Sequence, residues 1–349
     1  MSYQRGWDAL HLRMTDTIPH TEYVSHYELV RHLTGLDPAK PEEKEEAWRR
    51  FYLAADYDFL WHNDDGPVPW KERGRTTDMG HAEWLEDGSD RRDTITCPFK
   101  TVEEVLAFDA AAEYGLPDFG ELVAYYERTW RERQERHSQL VFPGGYYKTI
   151  VSGCIEAFGW AMFLEAVGAD PEGFDRVIEG IYKISEHHFR AWAKTSIEFF
   201  ICHDDMVWTQ GAIFRPAWYR QHVFPRYKRL WDILHDAGKT VLFCSDGNFT
   251  EFVDDLAQAG ADGFIFEPLT SLEYVIERYG QSKVIIGNID TRALSFGSKE
   301  DVRAEVKRCA DWGRNCPGYF FAVGNHIPPN IPLDNVLYYL DCIRELGRR

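Results

Sequence analysis

Lys239-Thr-Val-Leu-Phe-Cys-Ser-Asp-Gly-Asn248 passes from an apolar run straight into a polar turn, and the same transition recurs along the C-terminal half of the chain. Ile197-Glu-Phe-Phe-Ile-Cys202, Asp262-Gly-Phe-Ile-Phe-Glu267, Lys283-Val-Ile-Ile-Gly287 and Gly318-Tyr-Phe-Phe-Ala-Val323 are further short runs rich in β-branched and aromatic residues. Each reads as a strand buried on both faces, as a parallel sheet requires. Helices with readable ends lie between them. Thr250 to Ala259 carries Phe252, Val253 and Leu256 on one face and stops at Gly260, and Leu272 to Tyr279 repeats the pattern before Gly280. Ser298 with Asp301 predicts a capped helix start, and Pro216 predicts the first turn of a longer helix reaching toward His235.

Strand, loop and helix repeated without antiparallel hairpin signals mean right-handed βαβ units. Their spacing approximates the ~30 residues per unit of an eight-fold barrel. Thr17 to Val24, Tyr57 to Trp61 and Gln139 to Phe142 supply the three missing strands. The expected fold is therefore α/β: a single (β/α)8 TIM barrel spanning residues 1–349, with an N-terminal extension and a lid-like insertion from Trp70 to Thr96. A doubly wound sheet would need a Gly-rich phosphate turn after its first strand, and none is present.

Charge narrows the partners. With 39 Lys+Arg against 57 Asp+Glu, the formal charge is −18, which disfavours nucleic acid and anionic membrane surfaces. A small neutral or cationic ligand, or a protein, fits better. The first residues lack the apolar core of a signal peptide, and the seven scattered cysteines contain no Cys-x-x-Cys pair. Both features point to a reducing, cytoplasmic setting.

Barrel chemistry sits where strands end. The strand ends here offer His20 and Glu22; His62, Asp64 and Asp65; His203, Asp204 and Asp205; Cys244, Asp246 and Asn248; Glu267; Asn288 and Asp290; and Asn325 and His326. Carboxylates, imidazoles and a thiol converging on one opening make either a metal site or an acid/base site. Plainer roles compete: Asp246 before Gly247 and Asp290 before Thr291 suit loops and caps, and Cys244 suits an apolar core. Glu267 ends a wholly apolar strand, where an unpaired charge is costly, which makes it the strongest single candidate. Asp205 is the best of its trio to face the cavity.

Gly287-Asn-Ile-Asp290, Gly324-Asn-His-Ile-Pro-Pro-Asn-Ile-Pro332, and His203-Asp-Asp205 followed by Arg215-Pro216 and Phe224-Pro-Arg-Tyr227 together resemble the uroporphyrinogen decarboxylase superfamily. The resemblance is clear from about residue 140 to 345. It implies a (β/α)8 barrel and an activity divided between decarboxylation of a porphyrinogen and methyl transfer involving corrinoid proteins or folate. The decarboxylase branch opens with an Arg-rich motif that grips the acidic tetrapyrrole; this chain has Thr17-Ile-Pro-His-Thr-Glu22 there. The methyltransferase branch holds zinc with His-x-Cys and a later Cys. The matching positions here are Cys244-x-Asp246, with Asn325 or His326 in place of the last Cys, and Glu267 coincides with a ligand of related methionine synthases.

The resemblance thus implies a cytoplasmic methyltransferase of O-demethylase type, moving a methyl group from a small methoxylated aromatic substrate to cobalamin on a separate corrinoid protein. The expected catalytic residues are Asp205, Glu267 and His326. Substrate is expected at His20, Glu22, His62, His203, Asn248, Asp290 and Asn325, and zinc at Cys244, Asp246, Glu267 and His326. Trp61, Trp70, Trp84 and Trp208 are candidates for an apolar pocket. A homodimer is compatible with this reading. The alternative is a metal-independent decarboxylase or lyase acting on a small acid.

Overall fold

Six short strands form one wholly parallel ladder: β1 (Gly144–Tyr146), β2 (Phe199–His203), β3 (Thr240–Ser245), β4 (Gly263–Phe266), β5 (Val284–Ile286) and β6 (Tyr319–Phe320), each beside the next. Two extended segments close the ring. His20 bridges Phe321 in parallel, with the Phe321 N–H donating to Pro19 O and the Thr21 N–H to Phe321 O. On its other side the Asp58 N–H donates to His20 O, and Phe59 bridges Val141, just ahead of β1. The circuit has eight members, as the strand count predicted. The computed structural model describes residues 2–79 and 97–349 together with the backbone of Glu83–Trp84 and Asp90–Arg91. Most of the expected lid, including the Trp84 side chain, lies outside the described residues.

Alternation along the strands divides the core in two. Phe59, Val141, Phe199, Ile201, Leu242, Cys244, Ile265, Val284, Ile286, Phe320 and Ala322 fill the barrel interior. Their neighbours, such as Phe200, Cys202, Phe243, Phe264, Phe266, Ile285 and Phe321, pack outward beneath the helices. The expected N-terminal extension is helix α1 (Ser2–Leu10), whose Ala9 and Leu10 join the interior cluster and plug the barrel floor.

The helix ends follow their sequence signals. Gly260 has φ +116 and terminates Val253–Ala259, and Ser298 forms a full capping box with Asp301 at the start of Lys299–Gly313. The long helix expected from Pro216 is instead two, Pro216–His222 and Phe224–His235, because Pro225 lacks the N–H that a continuous helix would use. A two-residue antiparallel pairing, Val207–Trp208 with Gly211–Ala212, also interrupts the expected βαβ run. Helix α2 (Val151–Ala169) is long and apolar enough to cross a membrane by composition, yet two thirds of its most apolar window is buried inside the protein, where it serves as a core helix.

Candidate active site

Strand register sets the site. His203 is level with Cys244, Cys244 with Ile265, and Ile265 with Ile286. Two residues beyond that row, on the interior side of the alternation, come Asp205, Asp246 and Glu267. Apolar packing stops at the row and carboxyl groups begin directly above it.

Asp205 is held by three contacts. Its Oδ2 accepts from the Tyr147 hydroxyl at 2.6 Å; its Oδ1 accepts from the Asp246 N–H at 2.9 Å and lies 3.2 Å from His203 Nε2. Burial alone would raise its pKa, but the His203 ring and these hydrogen bonds outweigh it and bring the group down to about 2. Asp205 is thus the ionised member of the cluster. Asp246 has the opposite fate: burial, then the negative charges of Asp205 and Glu267, push its carboxyl well above the ordinary range, and the hydrogen bond from Asn325 Nδ2 at 3.1 Å only partly offsets them. Glu267 is also raised, mainly by burial, against the opposing Gly247 N–H donated to Oε1 at 2.6 Å and a hydrogen bond from Asn325. Gly247 can take this position only as glycine. Its φ is +81, and a Cβ would stand 2.8 Å from the carbonyl oxygens of Val207 and Trp208.

The site's walls are aromatic. Tyr147 lies against the His203 ring at 4.1 Å between centroids, Trp61 lies 6.1 Å from His203, and Tyr23 reaches both Trp61 and His326. His326 Nδ1 is 3.2 Å from Asn325 Oδ1, and burial lowers its pKa to about 4, so the ring is neutral at ordinary pH. Among the described residues, no Lys or Arg side chain is ion-paired with Asp205, Asp246 or Glu267.

Of the sequence-predicted residues, Asp205, Asp246, Glu267, His203, Asn325 and His326 come together here. Others are committed elsewhere. His20 and Glu22 are buried between the first segment and the C-terminal helix: Glu22 accepts from the Tyr339 hydroxyl and from the Val323 N–H, and His20 Nδ1 lies 3.2 Å from Ala55 O. Their polar atoms hold the barrel seam together and leave nothing for a substrate. His62 falls on the outward side of the 59–61–63 alternation, beside Arg133 and Phe142. Asn248 caps its own turn by accepting from Thr250, and lines a separate surface cleft with Gln210, Glu251 and Tyr274. Asp290 caps the short helix Thr291–Phe296 and pairs with Arg292. Trp70 stacks on Tyr114 in the core at 4.3 Å, whereas Trp208 is 49% exposed.

The zinc set does not fit this arrangement. Cys244 sits one step below the carboxyl row, fully buried in the apolar interior with Leu242, Ile265 and Ile286 rather than at the mouth with the carboxyl groups. Among the described residues, no group of three or more His, Cys, Asp or Glu side chains is arranged to hold a metal ion.

Two contributors escaped the sequence reading, Tyr147 and Asn63. Asn63 Nδ2 lies 3.1 Å from His203 Nδ1. The interior alternation 59–61–63 is the signal that identifies it, since the residue two beyond Trp61 must face the mouth. Tyr147 lies just past the end of β1, a strand whose glycines hid it.

Comparison with known proteins agrees with this architecture. The sequence profile of the family described as uroporphyrinogen decarboxylase (URO-D) matches residues 140–346. The uroporphyrinogen decarboxylase of Syntrophotalea carbinolica is 28% identical over 222 residues, covering 63% of each chain. That of Geobacter sulfurreducens is 24% identical over 213 residues, covering 60% of this chain and 61% of its own. The match therefore spans less than two thirds of these relatives' length. The solved structure of a methyltransferase from Methanosarcina mazei shares the fold over 99% of this chain and 98% of its own, with a TM-score of 0.66 at 17% identity. With the profile covering more than half of its length, on a barrel whose mouth carries the cluster just described, the chain belongs to the uroporphyrinogen decarboxylase family.

Proposed function

We propose that the protein is a cytoplasmic methyltransferase of O-demethylase type, which moves a methyl group from the oxygen of a small methoxylated aromatic donor to a corrinoid carried by a separate protein. The feature that carries this reading is the juxtaposition at the mouth of Asp205, whose carboxyl is drawn down to about 2, with Asp246, whose carboxyl is pushed well above the ordinary range by burial and by the charges of Asp205 and Glu267. A methoxyl oxygen is a poor leaving group unless it is protonated as it departs, and a carboxylic acid kept protonated by its neighbours supplies that proton. A reduced corrinoid on the partner protein would supply the electron pair that bonds the methyl carbon. The electron pair of the broken O–CH3 bond stays on oxygen, which takes the Asp246 proton, and the resulting carboxylate is reprotonated from solvent.

The other groups fit around this step. Asp205, already holding three contacts, serves as the fixed anion that adds to burial in raising the Asp246 carboxyl. Asn325 orients the Asp246 and Glu267 carboxyl groups, and Trp61, Tyr23 and Tyr147 offer ring faces to an aromatic donor. The carboxyl cluster, with no Lys or Arg ion-paired to it among the described residues, disfavours an acidic substrate, which weighs against the decarboxylase or lyase alternative. Tyr23 and Trp208, about half exposed at the rim, give a docking protein apolar surface to cover. Because zinc does not fit, no step runs through it.

The test is an assay of methyl transfer from methoxylated aromatics to a reduced corrinoid protein. Asp246→Asn should lower turnover by ~10² or more, the usual scale for losing a general acid. Full activity in that variant, or turnover of small acids without methyl transfer, would overturn the proposal.

A further inference from the structure

Asn63 and His203 meet under unusual constraint. The imidazole is held between Tyr147, at 4.1 Å between ring centroids, and Trp61, at 6.1 Å, and its side chain is 13% exposed. Ring rotation and solvent are therefore poor means of setting which nitrogen bears the proton. Nε2 faces Asp205 Oδ1 at 3.2 Å, and Nδ1 faces Asn63 Nδ2 at 3.1 Å. With the Asn63 NH2, which only donates, turned to Nδ1, that nitrogen offers its lone pair and the ring proton lies on Nε2. Among the described residues, Asn63 Oδ1 is buried with no hydrogen-bond partner, and the amide's side-chain contact is the one from its NH2 to His203.

Backbone packing supports the same role. Gly145, the middle residue of β1, has no side chain because a Cβ there would stand 2.5 Å from His62 O and 2.7 Å from Asn63 Oδ1. The strand thus leaves room for this amide. We infer that Asn63 is a positioning residue: by donating to His203 Nδ1 it holds the ring as the Nε2–H tautomer, which delivers its proton as a hydrogen bond to Asp205. Asn63 acts through His203 on the anion of the site. The inference rests on the geometry of the mouth, whatever substrate the protein uses.

The experiment is nitrogen-15 NMR of the full chain labelled at histidine, with the His203 signals assigned by their loss in His203→Gln. Wild type should show His203 with a proton-bearing Nε2 and a lone-pair Nδ1. Asn63→Asp replaces the donor with an acceptor and should convert both nitrogens to the proton-bearing type. Asn63→Leu removes the donor at similar volume while Asp205 still accepts from Nε2, and should let Nδ1 take up a proton at higher pH than in wild type. A wild-type spectrum with Nδ1 protonated overturns the inference, as does a folded Asn63→Asp protein with unchanged His203 signals. If the Asp variant does not fold, the Leu variant decides the matter: an Nδ1 that protonates at the same pH as in wild type overturns the inference.

Discussion

Asp205 and Asp246 are joined by a hydrogen bond from the Asp246 backbone N–H to Asp205 Oδ1, 2.9 Å long. The bond ties the ionised carboxylate to the main chain of the residue whose own carboxyl is pushed upward by burial and, next, by that same negative charge. Adjacent parallel strands in register place the two residues at the same height, so the coupling follows from strand pairing itself.

Glu267 tests whether this cluster is kept for chemistry or for stability. Its carboxyl is raised chiefly by burial, with the Asp205 charge adding to the effect, and the Gly247 N–H bond can be preserved by an amide oxygen. Glu267→Gln should therefore leave the thermal midpoint at or above wild type while removing most turnover. Thermal melts and the methyl-transfer assay on the same preparation check this. A loss of about 3 kcal/mol or more, the scale of a broken buried ion pair, with activity per folded molecule intact, would assign Glu267 a structural role.

Asp204 should behave in the opposite way. Its side chain faces outward from the barrel, accepting from the N–H groups of Ile150, Val151 and Ser152 at the start of α2 and from the Tyr227 hydroxyl. Asp204→Ala strands these buried donors at ~1–3 kcal/mol each, so a total loss of several kcal/mol is expected in urea unfolding. Asp205→Asn should cost far less. Comparable losses from the two adjacent substitutions would contradict the division of labour drawn here.

Much of this division is legible in sequence, because a period of two needs only one anchor. Once Ile201, Cys244 and Ile265 are read as interior, Asp205, Asp246 and Glu267 follow. Asn63 follows equally from Phe59 and Trp61, but the ionisable His62, Asp64 and Asp65 around it draw attention away from an amide. His20 and Glu22 mislead for another reason. Their partner Tyr339 comes from the far end of the chain, and no local pattern signals that contact. The β1 strand is obscured because Gly144 and Gly145 carry no strand preference and are glycine for lack of space.

His188 gives the fold an acid sensitivity. Burial, with smaller contributions from His187, Lys148 and Arg73, lowers its pKa to about 3, and its Nδ1 lies 2.6 Å from the Tyr126 hydroxyl. The folded value lies below the unfolded one, near 6.5, so the unfolded chain binds the extra proton as pH falls. The associated stability is complete above about pH 6.5 and is lost toward pH 3, at up to ~1.4 kcal/mol per pH unit. His188→Gln, which keeps an acceptor for Tyr126, should flatten the pH dependence between 6.5 and 4 by about that slope in urea titrations. Parallel curves for the two proteins would refute the assignment.

The two ends of the chain should be inseparable from the barrel. The Ile18 N–H donates to Gly347 O, the Arg349 N–H to Asp16 O, and Thr17 bridges Arg348. Residues 1–349 should therefore melt as one domain in a single calorimetric transition, with equal van't Hoff and calorimetric enthalpies. Two resolved transitions would show independent units.

The central claim, that Asp246 holds a proton beside an ionised Asp205, can be read without knowing the substrate. The measurement is carbon-13 NMR of protein labelled at the aspartate carboxyl carbon, at about pH 6, roughly two units above an ordinary aspartate's pKa. A protonated carboxyl signal should vanish in Asp246→Asn, and in Asp205→Asn the same signal should ionise at lower pH. If the signal lost in Asp246→Asn is that of an ionised carboxylate, the account is wrong.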